Sequence, residues 1–326
     1  MPGLWPWLLL QGCAAAVLTW GTLRYALWRG LMDAPGERRS HTAPTPRGGG
    51  IAIVIVVAAG CGWLGWRSAD HVIALALFAA GLLLVAAIGW LDDHRPLPAS
   101  RRFVVHLVSA SLLAAALYVE TLPWWQVALG WLFAVCLVNI WNFMDGINGL
   151  AASQAAIAAA GFALVLSGPW AWISWALCAA CLGFLPFNFP KARIFMGDVG
   201  SGALGYVLAG LIAFSVAGAR SPFLALLPIV AFGIDAGFTL LRRVLRGEAW
   251  WQPHTTHAYQ RAARRAGHTK VTIVCAFFSI VVTILMLIAW HTTLMSGLAI
   301  TACACLFASW TWMYQQIADI PKDEER

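Results

Sequence analysis

The chain has 326 residues, of which 61% are hydrophobic and only 11% charged, and its formal net charge is +7. Water-soluble globular domains carry about 25% charged residues, so a soluble globule is excluded. Apolar runs of about 20 residues, long enough to cross a hydrocarbon core, recur along the whole length. The expected fold class is therefore an all-α integral membrane protein, a polytopic bundle of about 10–11 transmembrane helices, forming one domain over 1–326.

The first apolar run, 5–28, leads into a polar stretch at 30–47 that is too rich in Pro and Gly for a helix. An ordered loop ending in a glycine turn is expected there, with Arg38, His41 and Arg47 as anion contacts. Runs at 48–66 and 71–91 follow, and the second ends in Asp92-Asp93-His94. Two adjacent carboxylates repel, so one is driven toward its protonated form unless a cation lies beside them. The pair suits a proton-accepting base beside Mg²⁺, or direct metal contact; the plain alternative is a solvated helix end. Arg101 and Arg102 come less than three turns later as phosphate partners, or simply as membrane anchors.

Runs at 103–119 and 124–141 lead to Asn139-Ile-Trp-Asn142-Phe-Met-Asp145-Gly-Ile-Asn148. At helical spacing Asn139, Asn142 and Asp145 converge on one face, and amide oxygens and carboxylates are hard ligands suited to Mg²⁺. Interhelical hydrogen bonding is the structural alternative. Runs at 150–166 and 170–187 precede Asn188-Phe-Pro-Lys-Ala-Arg-Ile-Phe195-Met-Gly-Asp198-Val-Gly-Ser-Gly. Its glycines predict an irregular turn feeding a helix near Ser201, where backbone N–H groups can cradle phosphate. Asp198 is placed to hold a metal, and Phe195 offers a ring on which a base can stack. Runs at 201–217 and 222–241 come next, with Asp235 inside the second, expected to serve an interhelical partner or the charge of the following loop. That loop, 242–270, carries His254, His257 and Arg261 among further arginines, a cluster suited to a diphosphate. Zinc is not expected, because H-x-x-H lacks a third ligand nearby. Runs at 271–290 and 292–313 bring the count to eleven, with 150–166 and 201–217 the short ones.

Counting these crossings puts all five polar stretches on one face, together with every Lys and Arg of the 21 except Arg67 and Arg220. Such asymmetry marks that face as cytoplasmic and leaves the N-terminus outside, in the periplasm. The positive charge is thus a topology signal; the lipid bilayer is a partner and nucleic acid is not. All eight cysteines fall in apolar runs and read as small packing residues, while many of the 19 tryptophans cluster at run ends as an interfacial belt.

Taken in order, Asp33-Ala-Pro-x-x-Arg-x-Ser-His with Pro-Arg-Gly-Gly-Gly, Asp92-Asp93, Asn139-x-x-Asn-x-x-Asp-Gly-x-Asn-Gly and Phe195-Met-Gly-Asp-x-Gly-Ser resemble the polyprenyl-phosphate N-acetylhexosamine-1-phosphate transferases. The resemblance spans about 33 to 267. It implies transfer of a sugar-1-phosphate from a UDP-N-acetylhexosamine to undecaprenyl phosphate, with release of UMP. It implies Mg²⁺, with Mn²⁺ as a substitute, on Asn142 and Asp198, and Asp92 as the base at the lipid phosphate. Asp93 and Asp145 would support metal and nucleotide, Phe195 would stack on uracil and Asn148 would meet its edge. Arg38, His41, Arg47, Arg102, Asn139, His254, His257 and Arg261 complete the implied substrate contacts. The setting implied is a bacterial inner membrane, with the active site cytoplasmic and room for a homodimer.

The chain departs from the common pattern in three places. Arg102 and His106 stand where many relatives have Lys and Gln, and His254-Thr-Thr-His257-Ala-Tyr-Gln replaces a more His-rich motif. That last form resembles the subgroup that initiates O-antigen from UDP-linked 6-deoxy sugars, N-acetylfucosamine or N-acetylquinovosamine, with UDP-N-acetylglucosamine as the alternative donor. An intramembrane aromatic prenyltransferase would need a second Asp-rich cluster, and a transporter would need charges near the midplane, where only Asp235 qualifies.

Overall fold

A computed structural model describes residues 3–34, 43–249 and 254–317. Within lipid every backbone N–H and C=O must be satisfied inside the chain, and the apolar runs accordingly become helices. In chain order they are α1 (Leu4–Arg29), α2 (Ile51–Arg67), α3 (Val72–His94), α4 (Ala99–Val119), α5 (Trp124–Met144), α6 (Leu150–Val165), α7 (Gly168–Asn188), α8 (Asp198–Val216), α9 (Val230–Leu245), α10 (Ala258–Ala266), α11 (His268–Ala289) and α12 (Leu294–Ile317). Short 3₁₀ turns at Ala69–His71 and Pro222–Ile229 lead into α3 and α9. Among the described residues nine helical segments are long and apolar enough to span a membrane, and α2 and α6 are shorter apolar helices. The protein is thus an all-α, multi-pass membrane protein whose apolar helices correspond to the eleven runs. The short ones are α2 and α6, whereas α8 runs for 19 residues.

The helices pack around α8. Every residue of α8 from Val199 to Val216 is buried, chiefly against α5 and α3. Gly200 makes the approach of α2 possible: a Cβ there would lie 2.6 Å from the Cα of Gly50. Outer helices keep apolar side chains exposed, as Ile273, Val274, Phe277 and Ile288 on α11 show, which is the surface a bilayer requires. Trp5, Trp28, Trp66 and Trp124 are largely exposed at helix ends, in keeping with an interfacial belt.

All five polar stretches meet at one end of the bundle. The 30–47 stretch is bracketed by a two-stranded antiparallel ribbon, β1 (Met32–Asp33) and β2 (Thr45–Pro46), with Asp33 opposite Thr45. The ribbon is followed by backbone pairing to the Asp198 turn: Phe195 N–H donates to Pro46 O (2.7 Å), Gly49 N–H to Phe195 O (2.9 Å) and Gly50 N–H to Met196 O (2.9 Å). Two motifs that lie far apart in sequence are therefore stitched into one backbone layer. The opposite end is sparser, and its contacts include His71 Nδ1 to Glu120 Oε1 (2.8 Å) and Arg220 to His291 O (3.3 Å).

Candidate active site

α3 delivers Asp92 and Asp93 to the polar end, and their side chains part there. Asp93 is buried and accepts from the backbone N–H groups of Asp198 (3.1 Å) and Val199 (3.2 Å). Its carboxylate therefore caps the start of α8, where the helix dipole favours negative charge. Gly197 makes this possible: its φ is +76°, and a Cβ would fall 2.5 Å from Asp93 Oδ2. Arg47 steadies the same carboxylate from the other side, 4.0 Å from Asp93 and 3.8 Å from Asp33, and also donates to Asp93 O.

Asp92 turns toward α4. Its Oδ1 accepts from Leu97 N–H (2.6 Å), and its Oδ2 from Arg102 Nη1 (2.9 Å). The same Arg102 nitrogen is 2.9 Å from Asp198 Oδ2, so one guanidinium bridges carboxylates from α3 and α8. Asn142, at the end of α5, faces the same cavity as Asp198. Beside them Asp145 follows the last turn of α5. Burial, and then the nearby Asp198 and Asp93 carboxylates, push its carboxyl well above the ordinary carboxylate range.

Asp93, Asn142, Asp145 and Asp198 line a cavity of about 230 Å³ with Asp33, Arg47, Asn148, Phe195 and Gln260, among others, while Asp92 and Arg102 stand outside its lining and reach it through Asp198. Every one of the five polar stretches contributes to its wall. The donor set fits a hard divalent cation: carboxylate and amide oxygens converge, and Arg102 already draws two of the carboxylates onto one positive charge. Among the described residues no three His, Cys, Asp or Glu side chains form a closed metal site.

Other sequence candidates lie elsewhere. Asn139 does not line the cavity; its amide bonds back to Val135 O (2.8 Å) on its own helix. Arg38 and His41 lie outside the described residues. His254, His257 and Arg261 belong to the layer behind the wall. The two imidazoles stack with centroids 4.8 Å apart, and His257 is buried 3.4 Å from Asp235. Burial, then the charges of His257 and Arg243, lower His254 to about 4, so it is neutral at pH 7. Arg261 holds Thr256 O at 3.3 Å. Asp235 supports this loop through the first turn of α10, accepting from Ala258 N–H (2.8 Å) and Tyr259 N–H (2.9 Å).

Gln260, His268, Asn188 and Asp33 line the cavity although the sequence did not single them out as site residues. Asp33 stands first in the Asp33-Ala-Pro-x-x-Arg-x-Ser-His motif. Asn188 is structural, with Gly149 N–H donating to its Oδ1 (2.7 Å) and its Nδ2 donating to Ile194 O (2.9 Å). Gln260 closes the His254-Thr-Thr-His257-Ala-Tyr-Gln motif without being marked there as a contact, and His268 shows no pattern beyond its place in a basic loop.

Comparison with known proteins identifies relatives of the chain. The glycosyl transferase family 4 description matches residues 73–216. The chain is 33% identical over 316 residues to a decaprenyl-phosphate N-acetylglucosaminephosphotransferase of Mycolicibacterium smegmatis, covering 80% of this chain and 76% of that protein. It is 32% identical to a probable undecaprenyl-phosphate N-acetylglucosaminyl 1-phosphate transferase of Bacillus subtilis, over 73% and 71% of the two chains. A phospho-N-acetylmuramoyl-pentapeptide-transferase of Synechococcus sp. (strain JA-3-3Ab) is 36% identical across 56% of this chain and 59% of its own.

Proposed function

The chain belongs to glycosyl transferase family 4, with polyprenyl-phosphate N-acetylhexosamine-1-phosphate transferases as its relatives, and on that premise we propose that it moves an N-acetylhexosamine-1-phosphate from a UDP-sugar to undecaprenyl phosphate. An oxygen of the lipid phosphate forms a new bond to the sugar-bearing phosphorus. The bond from that phosphorus to the bridging oxygen breaks, and UMP leaves with that oxygen. The observation that carries this reading is the Arg102 bridge between Asp92 and Asp198 at the edge of the cavity.

Asp92 is the side chain proposed to accept a proton from the lipid phosphate or to orient it. Asn142 and Asp198 would hold Mg²⁺, with Mn²⁺ as a substitute; when bound, the ion supplies charge neutralisation on the diphosphate. Asp145 supports that pair from the cavity wall, and Asp93 keeps Asp198 in place by capping α8. Phe195 offers its ring to uracil, and Asn148, tied to Pro190 O at 3.1 Å, offers its edge. Arg47 and Arg102 stabilise charge on the phosphates, which is catalysis by positioning and electrostatics. His254, His257 and Arg261 act from behind the wall by shaping the loop that carries α10.

The loop sequence His254-Thr-Thr-His257-Ala-Tyr-Gln supports a 6-deoxy donor and a role in starting O-antigen or another cell-surface polysaccharide in a bacterial inner membrane. The names of the relatives favour a second reading, UDP-N-acetylglucosamine in the same reaction. Purified protein should be offered radiolabelled UDP-N-acetylhexosamines with undecaprenyl phosphate and Mg²⁺. A diphosphate-linked lipid product and equimolar UMP are expected; no lipid product with any donor overturns the proposal. Asp198→Asn should lower turnover roughly a thousandfold or more, since several kcal/mol of transition-state stabilisation are lost, while the protein still melts cooperatively.

A further inference from the structure

The wall of the cavity contributed by α10 ends in the carboxamide of Gln260. Its backbone is anchored by Asp235, which binds the N–H groups of the two preceding residues. Its side chain lies beside Tyr259, whose hydroxyl donates to Phe143 O (2.8 Å). Both groups lie over Gly146, where a Cβ would be 2.2 Å from the tyrosine oxygen and 3.2 Å from Gln260 Nε2. A phenol has one proton, and Tyr259 commits it to Phe143. Toward Gln260 it acts only as an acceptor, so Nε2 faces the tyrosine. Gln260 Oε1 is buried and has no donor among the described residues, so turning it toward a ligand sacrifices no hydrogen bond at that atom.

Three other carboxamides line the cavity, and each already has a task. Asn188 uses both ends on backbone, Asn148 holds Pro190 O and Asn142 is reserved for the metal in the proposed site. We infer that Gln260 is a specificity-determining residue that recognises the amide of an N-acetylated sugar donor. A carboxamide offers one donor and one acceptor on a planar group, the complement of an acetamido N–H and C=O. A hydroxyl at the same place on the sugar satisfies only one of the two. This assignment rests on the transferase reading and says which part of the donor α10 reads.

The test compares UDP-N-acetylglucosamine with UDP-glucose, which lacks the amide, and with UMP, which lacks the sugar. Turnover or competitive inhibition constants are measured for wild type and Gln260→Met. The methionine variant should weaken kcat/KM or inhibition for the N-acetylated nucleotide by roughly 10- to 100-fold. Changes for UDP-glucose and UMP should stay within about threefold, the spread of an indirect packing effect. UMP inhibition also reports that the variant is folded. If Gln260→Met does not bind UMP, Gln260→Asn, which keeps the amide but withdraws it, should show the same selective loss. In a variant that still binds UMP, equal losses for both nucleotide sugars, a loss for UMP as large as that for the N-acetylated nucleotide, or no loss at all would overturn the assignment. A wild type that forms no lipid product with any sugar nucleotide removes the function and the assignment together. An active wild type beside an indifferent Gln260→Met removes the assignment alone.

Discussion

Asp92 and Asp93 are adjacent in sequence, yet the end of α3 hands them to different neighbours. Asp93 holds the first two amides of α8, and Asp92 holds Leu97 N–H and the Arg102 guanidinium. Substitution should separate the two roles. Asp93→Asn removes the charge and one acceptor from a buried helix cap, and about 1–2 kcal/mol of stability should go with it, read as a lower melting temperature in detergent. Asp92→Asn should leave melting nearly unchanged while slowing turnover about a hundredfold or more, the usual effect of losing a general base. A destabilised Asp92→Asn beside an Asp93→Asn that melts like wild type would reverse the division. The sequence shows that both carboxylates end a membrane span, and that two like charges there need a compensating partner. It does not show which one caps a helix, because the donors lie 105 and 106 positions further along. Asn139 is the converse case. Its spacing matched Asn142, but a side-chain amide can bond back to its own helix, and here it does.

Among the elements, α10 depends on its surroundings most. A nine-residue helix is marginal on its own, because nucleation costs more than so few backbone bonds return. Asp235 from α9 and the Tyr259 hydroxyl supply what it lacks. Asp235→Ala should therefore loosen α10 by about 1–2 kcal/mol without unfolding the bundle. Hydrogen exchange of 258–266 should accelerate selectively, and unchanged protection there would show that packing alone holds the helix. The loop's basic residues were visible in the sequence, but its layering was not. Arg261, His254 and His257 look like ligands because they are cationic or polar, whereas neighbouring backbone and rings occupy them. The cavity position went to Gln260, the last residue of that motif, whose direction only the phase of α10 decides.

At the scale of the whole molecule, hydropathy and charge read well. Eleven apolar runs correspond to the apolar helices, and the five polar stretches share one end, since crossing parity alone determines which loops meet. If the positive charges put that end in the cytoplasm, Thr255→Cys in a Cys-less background should be shielded from a membrane-impermeant thiol reagent in intact cells, and Ala219→Cys should label. Labelling of position 255 overturns the orientation. The full burial of α8 has a mechanical consequence. Hydrophobic mismatch acts on helices that touch acyl chains, which tilt when a bilayer thins or thickens. Asp198 rides on the end of a helix that meets no acyl chain, so the outer helices absorb such tilting before it reaches the reacting groups. A change in bilayer thickness should therefore leave the geometry around Asp198 undisturbed.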